Sequence, residues 1–435
     1  MTSWQKDDVL NTFLRYRGIG ELDYVTCWYK KAFDYIKNTR IEVAFVSTNS
    51  ITQGGQAEIL WRYLFAYGIV INFAHQTFKW WNEAKGKAQV YCVIIGFAMF
   101  ERSVKKLFRY DTPTSQPKMT KVQFLNQYLA DAPDILIESR SKPLCNVPEM
   151  VFGSMPNDGG HLLLTPQERK QLVHNDETVK DLIRPFMGAE EFINGTKRYC
   201  IWLHGVSPSL YRKNKDVLSR IAKVKDHRQK SKRETTKKLA ELPAEFGEIR
   251  QPDSNYLIIP SVSTSARNYV PMGFAKKYTI CSNLNLMIPN ASLFEFGVLT
   301  SHVHMIWIKY TCGRLGNAYR YSAKIVYNNF PWAEATDEQK ANIETLAQAV
   351  LDARAKFPNS SLADLYDPLS MPKELLKAHQ ALDRTVMKLY KFKQDMSESA
   401  IVAKLMEMYQ TLTESPTMIP EPPPARKRRK KGGKK

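Results

Sequence analysis

The chain has 435 residues, 43% hydrophobic and 24% charged, with 63 lysines and arginines against 43 acids, a net charge of +20. That composition excludes a wholly disordered chain, and the length suffices for two or three domains. No run approaches ~18 consecutive apolar residues and the N-terminus lacks an apolar h-region, so neither a membrane span nor a secretory signal is expected. The six cysteines are scattered with no CxxC pair. That fits reduced thiols in a cytoplasmic protein better than a disulfide frame or a zinc site. A polyanionic partner is the class the charge favours.

The first hundred residues read as alternating α/β. Leu22–Tyr35 has helical periodicity, and Val43–Ser47 lies in a continuous apolar run, as expected of a strand covered on both faces. Ala57–Tyr67 is a second helix closed by Gly68. Ile69–Phe73 is another strand, and Gln89–Phe97, rich in β-branched residues, is a third. Strand–helix–strand order makes the first two parallel. The connection Phe73–Lys87 is too short for a helical crossover, so the third strand is expected antiparallel to its neighbour. Gly18–Ile19–Gly20 follows no strand and reads as a loop. Three strands with an uncovered parallel edge make a poor independent fold, so something upstream is expected to be missing.

From about Arg140 the texture changes. Gly, Pro and Asn become frequent, and short strand-like runs (Tyr199–Leu203, Tyr256–Pro260, Leu284–Ile288) alternate with loops, as in an irregular α+β domain reaching about Trp332. Within it, Arg212–Lys238 sets twelve lysines and arginines against three acids, a net +9 in 27 residues. Val217, Leu218, Ile221 and Val224 recur there at helical spacing, giving a helix with one buried stripe and a basic face suited to phosphate contact. Helices then take over. Thr336 and Gln339 form a capping box ahead of an apolar stripe from Ile343 to Leu351. Ser370–Pro372 starts the next helix, and Ile401, Val402, Leu405 and Tyr409 mark a third. A proline-rich hinge, Pro416–Pro424, leads to Arg426–Lys435, which holds eight basic residues and no acid and reads as a disordered arm or solubilising tail.

Three stretches of the first third are distinctive: ELDYVTCWYKKAFDYI (Glu21–Ile36), VAFVSTNSITQG (Val43–Gly54) and FAHQTFKWWNEAKGKAQVYCVIIGF (Phe73–Phe97). They closely resemble the later methyltransferase motifs of MmeI-like type II restriction–modification enzymes, which are adenine-N6 DNA methyltransferases using S-adenosylmethionine. The likeness continues through SRSKPLCNVPEMVFGSMPNDGGHLLL, IRPFMGAEEFINGTKRYCIWL and GRLGNAYRYSAKIVYNNFPW, and ends with SSLADLYDPLSMP and LLKAHQALDRTVMKLY. The resemblance implies α/β plus α+β classes in one chain. Residues 1–139 would be the second half of a Rossmann-like class I methyltransferase sheet. Residues 140–332 would be an irregular α+β target-recognition domain, 333–415 a helical C-terminal domain, and 416–435 the hinge and basic tail. Two family motifs are absent from the sequence: the glycine-rich cofactor loop and the catalytic Asn-Pro-Pro-aromatic run. The chain is therefore expected to be catalytically incomplete, with no catalytic residue of its own. S-adenosylmethionine is expected only if the missing N-terminal half is supplied. Double-stranded DNA is the expected partner, and a polypeptide carrying the missing motifs is the second candidate. A non-catalytic specificity subunit completing a split enzyme in trans, and a remnant of a truncated gene, are the alternatives.

Chemistry on a base needs that base out of the duplex and stacked on an aromatic wall. The resemblance to the family's base-binding loop makes Phe78 or Trp80 the stacking candidate, with Trp81 beside them; Lys79 and Lys85 are read as phosphate contacts or simply as exposed side chains. Asp23 and Tyr24 stand where similar enzymes pack a helix beside the cofactor adenine, and packing is the better reading for Tyr24. Ser47, Thr48 and Asn49 end a strand at its carboxyl edge, where open α/β sheets bind ligands. Asn49 is read evenly as a ligand contact and as a turn cap. For DNA reading, Gly313–Arg320 offers Arg314, Asn317 and Arg320, since arginine pairs bidentately with guanine and asparagine with adenine. Arg267 in Ser263–Arg267, with Arg220, Lys223 and Arg228 of the basic helix, is read as contacting the backbone. His75, His302 and His304 read as structural, His302 and His304 on a strand or in a loop without carboxylate partners nearby in sequence. No metal site is expected.

Overall fold

The computed structural model describes residues 1–14, 16–80 and 90–413. The chain divides into two compact units, Met1–Ser139 with the residues from Val402 on, and Arg140–Ile401.

The first unit opens with helix α1 (Ser3–Thr12), whose Thr2 and Gln5 form a reciprocal capping box. Helix α2 (Thr26–Ile36) follows, then strand β1 (Val43–Thr48), helix α3 (Gly54–Phe65), and strands β2 (Val70–Trp80), β3 (Val90–Ala98), β4 (Lys105–Arg109) and β5 (Lys118–Val122). They form one five-stranded sheet ordered β1-β3-β2-β4-β5. β3 lies antiparallel to both β1 and β2, so those two point the same way, and β4 runs parallel to β2. The antiparallel third strand agrees with the sequence reading. The strand count does not, because β4 and β5 extend the expected three. Their sequences, KKLFR and KMTKV, carry two lysines each, and β5 is exposed over four of its five residues. An edge strand of that kind lacks the apolar run that reveals buried strands.

Amphipathic α2 buries Tyr29 and Phe33 against the sheet, Tyr29 stacking on Phe97 at 5.5 Å between centroids and donating or accepting at Ser47 Oγ (2.8 Å). α3 packs on the same side, with Trp61 5.9 Å from the Tyr29 ring. Gly68, at φ +83°, turns the chain from α3 into β2. β1 is an edge strand with its residues alternating between half-buried and exposed, and Val46 is 48% exposed. The expectation of a strand covered on both faces is therefore not met. Among the described residues nothing hydrogen-bonds its outer edge.

The second unit runs β6 (Val151–Phe152), β7 (Leu163–Leu164), α4 (Pro166–Asn175), β8 (Ile183–Met187), α5 (Ala189–Asn194), β9 (Tyr199–Ile201), α6 (Lys215–Gln229) and α7 (Glu234–Lys238). It continues with β10 (Tyr256–Pro260), β11 (Val262–Ser263), β12 (Gly273–Ala275), β13 (Ile280–Cys281), β14 (Asn285–Pro289), α8 (Leu293–Leu299), α9 (His302–Thr311), β15 (Gly313–Leu315) and β16 (Ala318–Arg320). The strands make three small sheets, β12-β10-β14-β6, β13-β8-β9-β7 and β11-β16-β15. Leu162, Ile201, Val217 and Val224 are among the buried residues that join the second of these to α6. Last come α10 (Asp337–Ala355), α11 (Leu362–Leu365), α12 (Lys373–Leu389) and the start of α13 (Glu398–Thr413), which belongs to the first unit from Val402 on. α10 starts at the capping box expected of Thr336 and Gln339. It lies so close to α8 that a Cβ on Gly297 would stand 2.7 Å from Ile343 Cγ2. A buried polar chain ties these helices to the strands before them. Tyr269 donates to Asp383 (2.6 Å) and stacks on His379 at 4.1 Å, and His379 Nε2 meets the Tyr366 hydroxyl at 2.7 Å.

Candidate nucleic-acid interface

In the first unit the carboxyl ends of β1, β2 and β4 fall on one edge of the sheet. Asn49, just past β1, is buried and its amide reaches Thr77 Oγ1 of β2 at 3.4 Å. Phe78 and Trp80 lie within β2 itself, paired with Cys92 and Val90, and not in the loop the sequence suggested. A register shift between His75 and Phe78 lets the strand run on. Phe78 stacks on Tyr110, 5.4 Å away and 26° from parallel, and Trp80 stands 6.3 Å off, half exposed. The Tyr110 hydroxyl meets His75 Nδ1 at 2.8 Å, and the His75 ring lies flat on Phe108 at 4.1 Å. Burial lowers the His75 pKa, so the imidazole is neutral at physiological pH. Tyr110 was missed because it sits 30 residues from the aromatic motif and reaches it only through the parallel pairing of β2 with β4. The Lys79 amide donates to Pro113 O at 2.7 Å. Trp81 and Lys85 lie outside the described residues, as does the hinge and tail.

Asp23 is pinned to α3. Its amide donates to Gln56 Oε1 (2.9 Å), and its carboxylate accepts from Gln56 Nε2 (3.0 Å) and Ser50 Oγ (3.4 Å). Tyr24 donates to Asp8 at 2.6 Å and meets Trp4 edge-on, which joins α1 to the unit. A nucleoside cofactor needs a phosphate-or-methionine cradle and a ring slot as well as a carboxylate. Asp23 offers one exposed carboxylate, the sequence holds no glycine-rich loop, and these residues alone do not fit the group.

In the second unit Gly313–Arg320 is a β-hairpin. Gly316 has φ +60° and Asn317 follows it, the pattern of a two-residue turn with glycine first. Arg314 pairs across the strands with Tyr319 and lies over its buried ring at 3.9 Å, while also donating to the Asn317 and Lys309 carbonyls at 3.4 Å. It serves to hold the hairpin. Asn317 at the tip and Arg320 on β16 are exposed. Arg320 pairs with Val262 of β11, which brings the stretch Ser263–Arg267 beside the hairpin. Arg267 is half-buried, and burial lowers its pKa.

The basic segment is two helices, α6 and α7, with Lys223 exposed. Two of its arginines turn inward. Arg220 bonds the His161 carbonyl (2.9 Å) and pairs with Glu168 (2.8 Å). The Thr165 amide and then Arg220 hold the Glu168 carboxyl down at about 2. Arg228 is fully buried, and its five N–H groups donate to the carbonyls of Asn157, Leu239, Leu242, Pro156 and Glu245 at 2.7–3.0 Å. That corrects its reading as a phosphate contact, since no donor is left for DNA. His302 and His304 are placed on a helix, not on a strand or in a loop. His302 opens α9, and its amide donates to Asp383 (2.7 Å). His304 is buried, meets the Tyr321 hydroxyl at 2.8 Å, and is pushed down to about 3 by burial.

Three family models match in succession: the MmeI DNA-methyltransferase domain over residues 1–109, the MmeI target recognition domain over 131–334, and the MmeI C-terminal domain over 335–416. The chain belongs to the MmeI family. Its fold follows the solved Type IIL restriction-modification enzyme MmeI in complex with DNA, with a TM-score of 0.89 at 44% identity over 95% of this chain and 56% of that one. DNA methyltransferase A of Bacillus subtilis (strain 168) is 40% identical over 409 residues, 94% of this chain and 46% of that protein. The chain thus spans about half the length of the MmeI-family relatives it matches. The hairpin and the basic helices lie in the part that matches the target recognition model, and the aromatic edge, Tyr110 apart, lies in the part that matches the methyltransferase model. No helix among the described residues is long and apolar enough to cross a membrane.

Proposed function

We propose that this chain is the DNA-reading and distal methyltransferase portion of a site-specific adenine-N6 DNA methyltransferase in a restriction–modification system. It binds double-stranded DNA in the cytoplasm through the β11-β16-β15 sheet and the exposed lysines of α6 and α7. The observation that carries the reading is the hairpin. It leaves Asn317 and Arg320, one amide and one guanidinium, exposed on a short ribbon within the part matched by the target recognition model. Those two groups are the ones that read adenine and guanine in the major groove. Methyl transfer from S-adenosylmethionine requires the cofactor loop and the Asn-Pro-Pro-aromatic motif, neither of which is in this sequence. The expected outcome with purified chain is sequence-selective duplex binding, falling steeply with salt, without transfer of label from methyl-labelled S-adenosylmethionine. Binding indifferent to sequence would overturn the first part, and transfer by the chain alone the second.

A second reading is a specificity subunit completed in trans by a polypeptide that carries the missing motifs. The open edge of β1, with Val46 exposed, favours it. Co-expression with such a polypeptide should yield a complex that copurifies, and separate elution counts against it.

A further inference from the structure

Cross-strand partners in an antiparallel pair share a face of the sheet. In the hairpin, Arg314 pairs with Tyr319, Leu315 with Ala318, and Gly313 with Arg320. The first pair faces inward, with Tyr319 buried under Arg314. Leu315, Ala318 and Arg320 therefore look the other way, and Val262 joins them through its pairing with Arg320. Leu315 is 59% exposed at the tip, next to the turn that carries Asn317. Its burial adds little to the fold, which is held on the other face by Tyr319. Lone exposed leucines are ordinary on a protein surface. This one sits between an amide and a guanidinium, on a two-stranded ribbon of the width that a major groove admits. The apolar group on a major-groove base edge is the C5 methyl of thymine.

We infer that Leu315, with Ala318 beside it, reads the C5 methyl of a pyrimidine, so that one position of the recognition sequence is chosen by an apolar contact. This rests on the reading of the hairpin as the DNA interface. It assigns a specificity-determining role to a residue that offers no hydrogen bond.

The test selects bound DNA from a random duplex pool with the full chain, then repeats the selection with deoxyuridine replacing thymidine throughout. An enriched motif is expected from the ordinary pool. One A·T position in it should lose about fourfold in enrichment in the uracil pool, the worth of one buried methyl. Leu315→Ala on the ordinary pool should lose the same position by a similar factor, and on the uracil pool should add nothing. The remaining positions, unchanged in Leu315→Ala, show that the hairpin still folds. A motif identical in all four selections overturns the inference and leaves the hairpin as a DNA reader. A pool with no motif at all overturns the hairpin's assignment to DNA, and this inference with it.

Discussion

The basic helices and the hairpin of the second unit make an instructive pair. The segment Arg212–Lys238 that carries these helices holds twelve lysines and arginines in 27 residues; the hairpin has two arginines in eight. Yet two arginines of the helical segment are spent on the protein itself, Arg228 on five carbonyls and Arg220 on Glu168 and a carbonyl. In the hairpin one arginine stiffens the ribbon and the other is left to the solvent. Density of charge marks where a polyanion is attracted. Which side chains face it is set by strand register and helix face.

The largest effect that sharpens this contrast is expected at Arg228. Arg228→Met leaves five carbonyls without the donors that a fully buried guanidinium gives them, so chemical denaturation should show a loss of about 3 kcal/mol. Duplex affinity of the folded fraction should stay unchanged. A fall in affinity without a fall in stability would restore Arg228 to the interface.

Next comes pH. His304 is buried neutral, with its pKa pushed from 6.5 to about 3, and His379 is lowered in the same direction by burial. An unfolded chain takes up these protons below 6.5 and the folded one does not. Stability is therefore complete above pH 6.5 and lost as pH falls towards 3, with about 2 kcal/mol gone at pH 5 from His304. Thermal unfolding midpoints from pH 7.5 to 4.5 check this, and His304→Gln should flatten the decline.

Arg320→Ala should cost about 1–3 kcal/mol of discrimination between cognate and random duplexes, at an unchanged unfolding midpoint. Competition binding measures it. The smallest effect is expected at Lys223, exposed on α6. Lys223→Gln should weaken binding alike on all sequences and lower the salt slope by about 0.9. If Lys223→Gln changed sequence preference and Arg320→Ala did not, the roles of helix and hairpin would be exchanged.

Much of the scaffold was legible because the deciding physics is local. Thr336 and Gln339 announce α10, Gly68 closes the turn after α3, and the short Phe73–Lys87 connection forces β3 to run back against β2. What escaped is decided by pairing at a distance. β4 and β5 show no apolar run because they finish a sheet whose core strands lie earlier. Tyr110 joins Phe78 only once β4 lies beside β2. Arg228 reads like its exposed neighbours in sequence, since a basic residue on a buried helix stripe looks anomalous only when the carbonyls that surround it are known. The hairpin did leave a signal, Gly316–Asn317 between short extended runs, and that signal would have separated inward Arg314 from outward Arg320.

The way Arg228 is held has a consequence for release from the DNA of the proposed function. The groups that accept its five hydrogen bonds are carbonyl dipoles, fixed by the backbone and indifferent to protons and added ions, and the carboxylate that acts on it from farther off, Asp158, is buried, where salt screens little. Contacts with a phosphate backbone respond in the opposite way, weakening as counterions compete. On the proposed function, ionic strength therefore strips the chain from a duplex while the second unit stays folded, ready to engage the next one.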